Sequence, residues 1–207
     1  MNYDALIFDV DGTLWDAREQ VTVGWNLAVE QWTGRPNVLT AQGLGRHFGK
    51  TMPDIVRAVL PEIPEEEIDA FSDLCFDLEN AYVMEHPGRL YPGVRETLEA
   101  LAQRYPLYIV SNCQKGYIEC LVYGAHLEGL FSGWLCWGET GKPKWATLRQ
   151  LMEERSLQHP VYIGDTQGDA DACRAAGIDM IAVSYGLGRV ERPAVEINRF
   201  EELLELL

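Results

Sequence analysis

Short apolar runs alternate with amphipathic stretches over much of the chain. Residues 4–9, 107–111, 161–164 and 179–183 are each short and largely apolar and read as strands. Around the later runs the apolar positions switch to helical spacing. Val94, Leu98, Leu101 and Ala102 recur within 93–104, and Ala146, Leu148, Leu151 and Met152 within 145–155. An alanine-rich stretch covers 167–176, and a last helix spans Phe200 to Leu206. Trp134 to Trp137, after Gly133, is a further short strand. This alternation predicts an α/β fold, a Rossmann-like parallel sheet flanked by helices.

The stretch 17–86 breaks the alternation, because no strand pattern occurs in it. Residues 18–32 fit a helix with Val21, Trp25, Ala28 and Trp32 along one side. Residues 52–60 fit another, with Pro53 in the first turn. Residues 64–85 fit a long acidic helix whose buried stripe is Ile68, Phe71, Leu74, Cys75, Leu78 and Tyr82. The expected organisation is therefore an α/β core from 1–16 and 87–207, with an all-helical domain of residues 17–86 inserted after the first strand. His86 to Pro92 form the return hinge. The acids between Glu62 and Glu79 read as a solvated helix face.

With 207 residues, 47% of them hydrophobic, the chain can build a normal core. Seventeen basic against 32 acidic residues give a formal charge of −15, which argues against nucleic acid or an anionic membrane as partner. The apolar runs are far too short to span a bilayer, and the start of the chain lacks the pattern of a signal peptide. Five dispersed cysteines read as free thiols, and the expected setting is the cytoplasm, as monomer or homodimer.

The chemistry gathers at the ends of the apolar runs. The first delivers Asp9 and Asp11, followed by Gly12 and Thr13. Two acids beside each other repel unless a cation screens them, and a divalent ion with a phosphoryl group would use both. The second run ends in Ser111 and Asn112, and the third in Gly164-Asp165-Thr166-Gln167-Gly168-Asp169. Gly141-Lys142-Pro143-Lys144-Trp145 supplies two lysines just before a helix. Each piece also has a plain reading. Asp-Gly is a common turn pair, Ser-Asn a strand-end turn, the lysines a solvated surface, and Asp165 with Asp169 an acid pair at a helix start.

Taken in order, Asp9-Val10-Asp11-Gly12-Thr13, Ser111, the lysine and Gly164 to Asp169 resemble the four motifs of the haloacid-dehalogenase-like hydrolases, in particular the phosphoglycolate-phosphatase-like members with a helical cap. The resemblance covers essentially the whole chain. It implies a phosphomonoester hydrolase in which Asp9 is the nucleophile and Asp11 the general acid and base. It implies Ser111 as donor to the phosphoryl group and a lysine that neutralises charge there, Lys144 being preferred over Lys142. Mg²⁺ would be held by Asp9, Asp165 and the backbone carbonyl of Asp11, with Asp169 orienting Lys144 or a bound water. Members that cleave carbon–halogen or carbon–phosphorus bonds lack the second acid, so Asp11 favours oxygen-linked esters.

The substrate expected is a small phosphorylated metabolite. Thr13, Asn112, Arg46 and Lys50 are candidate binding residues, the last two in a basic loop over 45–51, and Trp15 and Asp16 candidate pocket residues. Tyr185-Gly186-Leu187-Gly188 reads as a loop and not as a dinucleotide fingerprint. A β-phosphoglucomutase-like mutase and a non-catalytic phosphate-binding protein are the alternatives.

Overall fold

A computed structural model describes residues 3–207; Met1 and Asn2, the start of the expected 1–16 segment, lie outside the described residues. The chain opens with β1 (Ala5–Phe8) and the two-residue β2 (Trp15–Asp16). Four helices follow: α1 (Arg18–Thr33), α2 (Ala41–Gly45), α3 (Met52–Val59) and α4 (Ile68–Glu85). The chain returns through β3 (Arg89–Leu90) to α5 (Val94–Leu101), β4 (Leu107–Ser111), α6 (Tyr117–Gly124) and β5 (Phe131–Cys136). Then come α7 (Trp137–Thr140), α8 (Lys144–Arg155), β6 (Pro160–Gly164), α9 (Gln167–Ala176), β7 (Asp179–Val183), β8 (Glu196–Ile197) and α10 (Leu203–Leu206).

Six strands form one parallel sheet in the order β5-β4-β1-β6-β7-β8. β1 is central: the chain runs from it to β4 and β5 on one side and then crosses to β6, β7 and β8 on the other, so the topological switch lies beside β1. Every residue of β1, β4 and β6 is buried, as expected for strands covered on both faces. The side chains alternate between two cores. Leu6, Phe8, Ile109 and Ile163 pack with α5, α6 and the C-terminal Phe200 and Leu203. Ala5, Ile7, Val110 and Tyr162 pack with Leu148 and Leu151 of α8 and Ala172 and Cys173 of α9. No helix among the described residues is long and apolar enough to cross a membrane.

The expected strands are present, with small corrections. The strand expected at 134–137 begins earlier, at Phe131, and Trp137 opens a helix instead. Helix α6 and strand β8 carry no clear periodicity in the sequence, since one is a short apolar run of mixed period and the other has only two residues. The stretch read as a hinge, 86–92, contains β3, which pairs antiparallel with β2 and pins both crossings of the chain together.

Helices α1 and α4 pack closely, and glycine permits it. A Cβ on Gly24 would lie 2.6 Å from the Cα of Glu79. The buried stripe of α4 is Ile68, Phe71, Ser72, Cys75, Glu79 and Val83, rotated from the expected one. Leu74, Leu78 and Tyr82 are half-buried, and Trp32 of α1 is exposed. Glu79 therefore leaves the solvated face assigned to the acidic run and faces inward, 4% exposed.

Gly24→Ala tests this packing. Alanine favours a helix interior by about 1 kcal/mol over glycine, while forcing the two backbones apart costs roughly 1–3 kcal/mol. Urea unfolding should show a net loss of stability; a variant at least as stable as the parent would contradict the close crossing.

Candidate active site

β1, β4 and β6 are neighbours, so their C-terminal ends lie side by side. Phe8 pairs with Ile163, which sets Asp9 level with Gly164, one residue before Asp165. The Asp9 amide donates to the Ile163 carbonyl (2.9 Å). Asp9, Asp165 and Asp169 are 2%, 0% and 1% exposed, and each offers a carboxylate oxygen within 4.8 Å of the others.

One cation answers this charge. Lys144, the first residue of α8, places Nζ 2.5 Å from Asp169 Oδ1 and 3.2 Å from Asp9 Oδ1. It also donates to the Tyr162 hydroxyl (3.1 Å), which itself donates to the Val110 carbonyl (2.8 Å). Burial by itself would strip the ammonium, but Asp169 and Asp9 more than offset that and hold its proton tightly. Asp169 is fixed from behind by a capping box with Thr166 at the start of α9.

Asp165 is held differently. Its Oδ2 accepts from the amides of Leu187 (2.7 Å) and Gly188 (2.8 Å), while its Oδ1 is buried with no hydrogen-bond partner. Burial, with Asp9 and Asp169 adding to it, raises this carboxyl to about 7. The loop approaches closely enough that a Cβ on Gly186 would lie 2.3 Å from the Asp165 Cβ. Gly12, at φ +78°, faces the same carboxylate, and a Cβ there would meet Asp165 Oδ2 at 2.2 Å. The Tyr185–Gly188 loop is thus part of the site, a role not read from the sequence.

Asp11 faces the other way. Its Oδ1 accepts from the Trp15 indole N–H (3.1 Å) and the Tyr117 hydroxyl (2.9 Å). Burial raises its pKa well above the usual carboxylate range, and the charges of Asp9 and Glu79 add to this against the two hydrogen bonds. Burial likewise raises Asp9, with Lys144 pulling it back. The strand ends at Phe8, so the two acids lie on the loop beyond it.

A cavity joins Asp9, Asp11, Ser111, Asn112 and Gln114 to helices α1–α4. Asn112 bridges the two sides by donating to the Gly49 carbonyl (2.8 Å), and exposed Lys50 lines the cavity as well. Other expected residues lie elsewhere. Arg46 is exposed and does not line the cavity. Lys142 is exposed and donates to Gln150 (2.8 Å), away from the acids, because only Lys144 sits where α8 starts beside β6. Thr13 is fully buried outside the cavity lining, its hydroxyl without a partner. Trp15 is buried behind Asp11, and Asp16 pairs with Arg18.

Glu79 and Gln114 are among the lining residues that the sequence reading missed. Glu79 Oε2 accepts from the Trp25 indole (2.7 Å), and its Oε1 from the Gln114 amide (2.8 Å). The signal was available: Glu79 falls on the helical spacing of Ile68, Phe71 and Cys75, not between the solvated acids.

A family model described as haloacid dehalogenase-like hydrolase matches residues 6–183. The chain belongs to the haloacid dehalogenase-like hydrolases. A phosphoglycolate phosphatase from Aliivibrio fischeri is 30% identical over 98% of this chain and 95% of its own. One from Pseudomonas savastanoi pv. phaseolicola is 28% identical over 96% of this chain and 78% of its own. A solved haloacid dehalogenase-like family hydrolase from Streptococcus pneumoniae superposes with a TM-score of 0.80 over 99% of this chain and 98% of its own, at 22% identity, a likeness of fold.

Phosphatases of this family generally use a divalent cation, and the donors here fit one. All are oxygens, which hard cations prefer, and Asp165 Oδ1 is a buried acceptor lacking a donor.

Glu79 yields a pH prediction. Burial raises it to about 7 against the hydrogen bonds from Gln114 and Trp25, with Asp11, Cys75, Cys120 and Tyr117 around it. A carboxyl raised in the folded state stabilises while protonated, and that contribution is lost as pH rises from its unfolded value of 4.5 through about 7. Between pH 5 and pH 8, Glu79→Gln should gain roughly 3 kcal/mol on the parent in urea unfolding. An unchanging difference would show that Glu79 is not desolvated.

Proposed function

We propose that this hydrolase cleaves phosphoric monoesters of small metabolites with Mg²⁺, through a phosphoaspartyl intermediate on Asp9. The observation that carries the reading is a carboxylate, Asp9, open to a cavity on one side and flanked by a buried ammonium and a second buried acid on the other. The names of the curated relatives support the same reaction class.

Asp9 attacks phosphorus and the ester oxygen leaves, so that a carboxyl–phosphate anhydride replaces the ester. Asp11, on the cavity side, hands a proton to the leaving oxygen and takes one back from the water that breaks the anhydride. Its raised pKa suits a group that must carry a proton at neutral pH. Lys144 offsets the charge gathered on Asp9 and the phosphoryl oxygens, and Ser111 donates to one of those oxygens. Asp9, Asp165 and the Asp11 carbonyl would hold the Mg²⁺, which when bound supplies positive charge to the phosphoryl group. Asp169 holds Lys144 in place, and Asn112 and Lys50 serve the substrate from the cavity wall.

In this reading residues 17–86 are a helical cap over a core of 1–16 and 87–207, and closure keeps bulk water from the anhydride. The enzyme acts in the cytoplasm, consistent with five free cysteines and the charge of −15, on a soluble substrate and not on nucleic acid or membrane.

Phosphate release from p-nitrophenyl phosphate with Mg²⁺ tests the assignment. Asp9→Asn should lose roughly 10³-fold or more in kcat while keeping the parent's circular dichroism. Activity equal to the parent's would remove Asp9 as nucleophile.

A further inference from the structure

Resting on the phosphatase reading, the cavity also constrains what the leaving group can be. The substituent on the ester oxygen must occupy the space that joins Asp9 and Asp11 to the helical segment. That space is about 50 Å³, room for a few water molecules, so the part of the group held inside it is small. Its walls on the helical side are mostly apolar, with Val21, Trp25, Leu44 and Met52 among them. One acid interrupts them.

Glu79 is 4% exposed, and its orientation is set by neutral donors, Trp25 on one oxygen and Gln114 on the other. Gln114 is in turn anchored, donating also to Asn80 Oδ1 (3.0 Å). A carboxylate has about four acceptor positions, so both oxygens retain capacity for a further donor. No cation pairs with it among the described residues. Lys50, the one Lys or Arg lining the cavity, is exposed and has Nζ 3.4 Å from His47 Nδ1.

We infer that Glu79, held by Trp25 and Gln114, is a specificity-determining residue that selects phosphate esters of small alcohols bearing a hydrogen-bond donor, hydroxyl or ammonium, and rejects those bearing a carboxylate. A hydroxyl or ammonium donates to Glu79 and completes its hydrogen bonding. A carboxylate brings a further negative charge against the buried Glu79, and such like-charge contacts are strongly unfavourable. On this ground the chain departs from the substrate that the names of its curated relatives carry.

Three esters of nearly equal size test the inference: 2-hydroxyethyl phosphate, 2-aminoethyl phosphate and 2-phosphoglycolate. Phosphate release is measured with Mg²⁺ at pH 8, where Glu79 is ionised, beside p-nitrophenyl phosphate as a reference. The parent should prefer the hydroxyl and amino esters over phosphoglycolate by about tenfold or more in kcat/KM. In Glu79→Gln that preference should shrink to roughly threefold or less, with the amino ester losing most. The parent's ranking decides the matter even if the variant fails to fold. Equal rates on the three esters (zero included), a preference for phosphoglycolate, or an unchanged ranking in a folded Glu79→Gln would overturn the inference. If p-nitrophenyl phosphate is hydrolysed in that same experiment, the phosphatase reading survives. If nothing is hydrolysed, that reading falls with it.

Discussion

Three carboxylates and one ammonium share a water-poor pocket at the ends of β1 and β6, and the protein is built around keeping them there. Asp9, Asp165 and Asp169 are all but sealed from solvent, and the one cation that pairs with them among the described residues, Lys144, reaches Asp9 and Asp169. Removing charges from water is expensive, and one ammonium cannot neutralise three acids. Burial, with the neighbouring acids adding to it, raises Asp165, and one buried Asp165 oxygen has no donor. A site left short of positive charge, in a hydrolase of this family, is a site prepared to take it from outside.

The fold supplies the constraint at several levels. The switch in strand order beside β1 brings Asp9 and Asp165 together, though 156 positions separate them in the sequence. The capping box of α9 turns Asp169 toward Lys144, and the Leu187 and Gly188 amides fix one Asp165 oxygen while leaving the other free. Gly12 and Gly186 let two loops close on that carboxylate. Across the cavity, Asn112 and Gln114 tie the end of β4 and the loop after it to the helical segment, so the acids and the cavity wall are positioned by the same residues.

Much of this was legible in the chain. The apolar runs marked the central strands because a parallel strand covered on both faces needs apolar residues throughout, and carboxylates at the ends of two such runs marked the site. Lys142 and Lys144 were harder to separate, since only the position where α8 begins tells them apart. Less legible was anything that depended on contacts between distant segments. Arg46 and Lys50 share a loop, yet only Lys50 lines the cavity. Glu79 sits at the end of an acidic run and was read with it, whereas the close approach at Gly24 and the donors Trp25 and Gln114 make burial of that acid tolerable. The Gly186 loop showed no ligand-binding signature because its amides serve Asp165 and not a ligand.

The central claim is that the buried acids bind a divalent cation which Asp165 helps to hold. Thermal unfolding of the parent and of Asp165→Asn, each titrated with MgCl₂ in the absence of any substrate, addresses it most directly. The account predicts that Mg²⁺ raises the parent's melting temperature in a saturable way, as a ligand of the folded state must, and that the rise is largely lost in Asp165→Asn. Equal rises in the two proteins, or none in either, would contradict it.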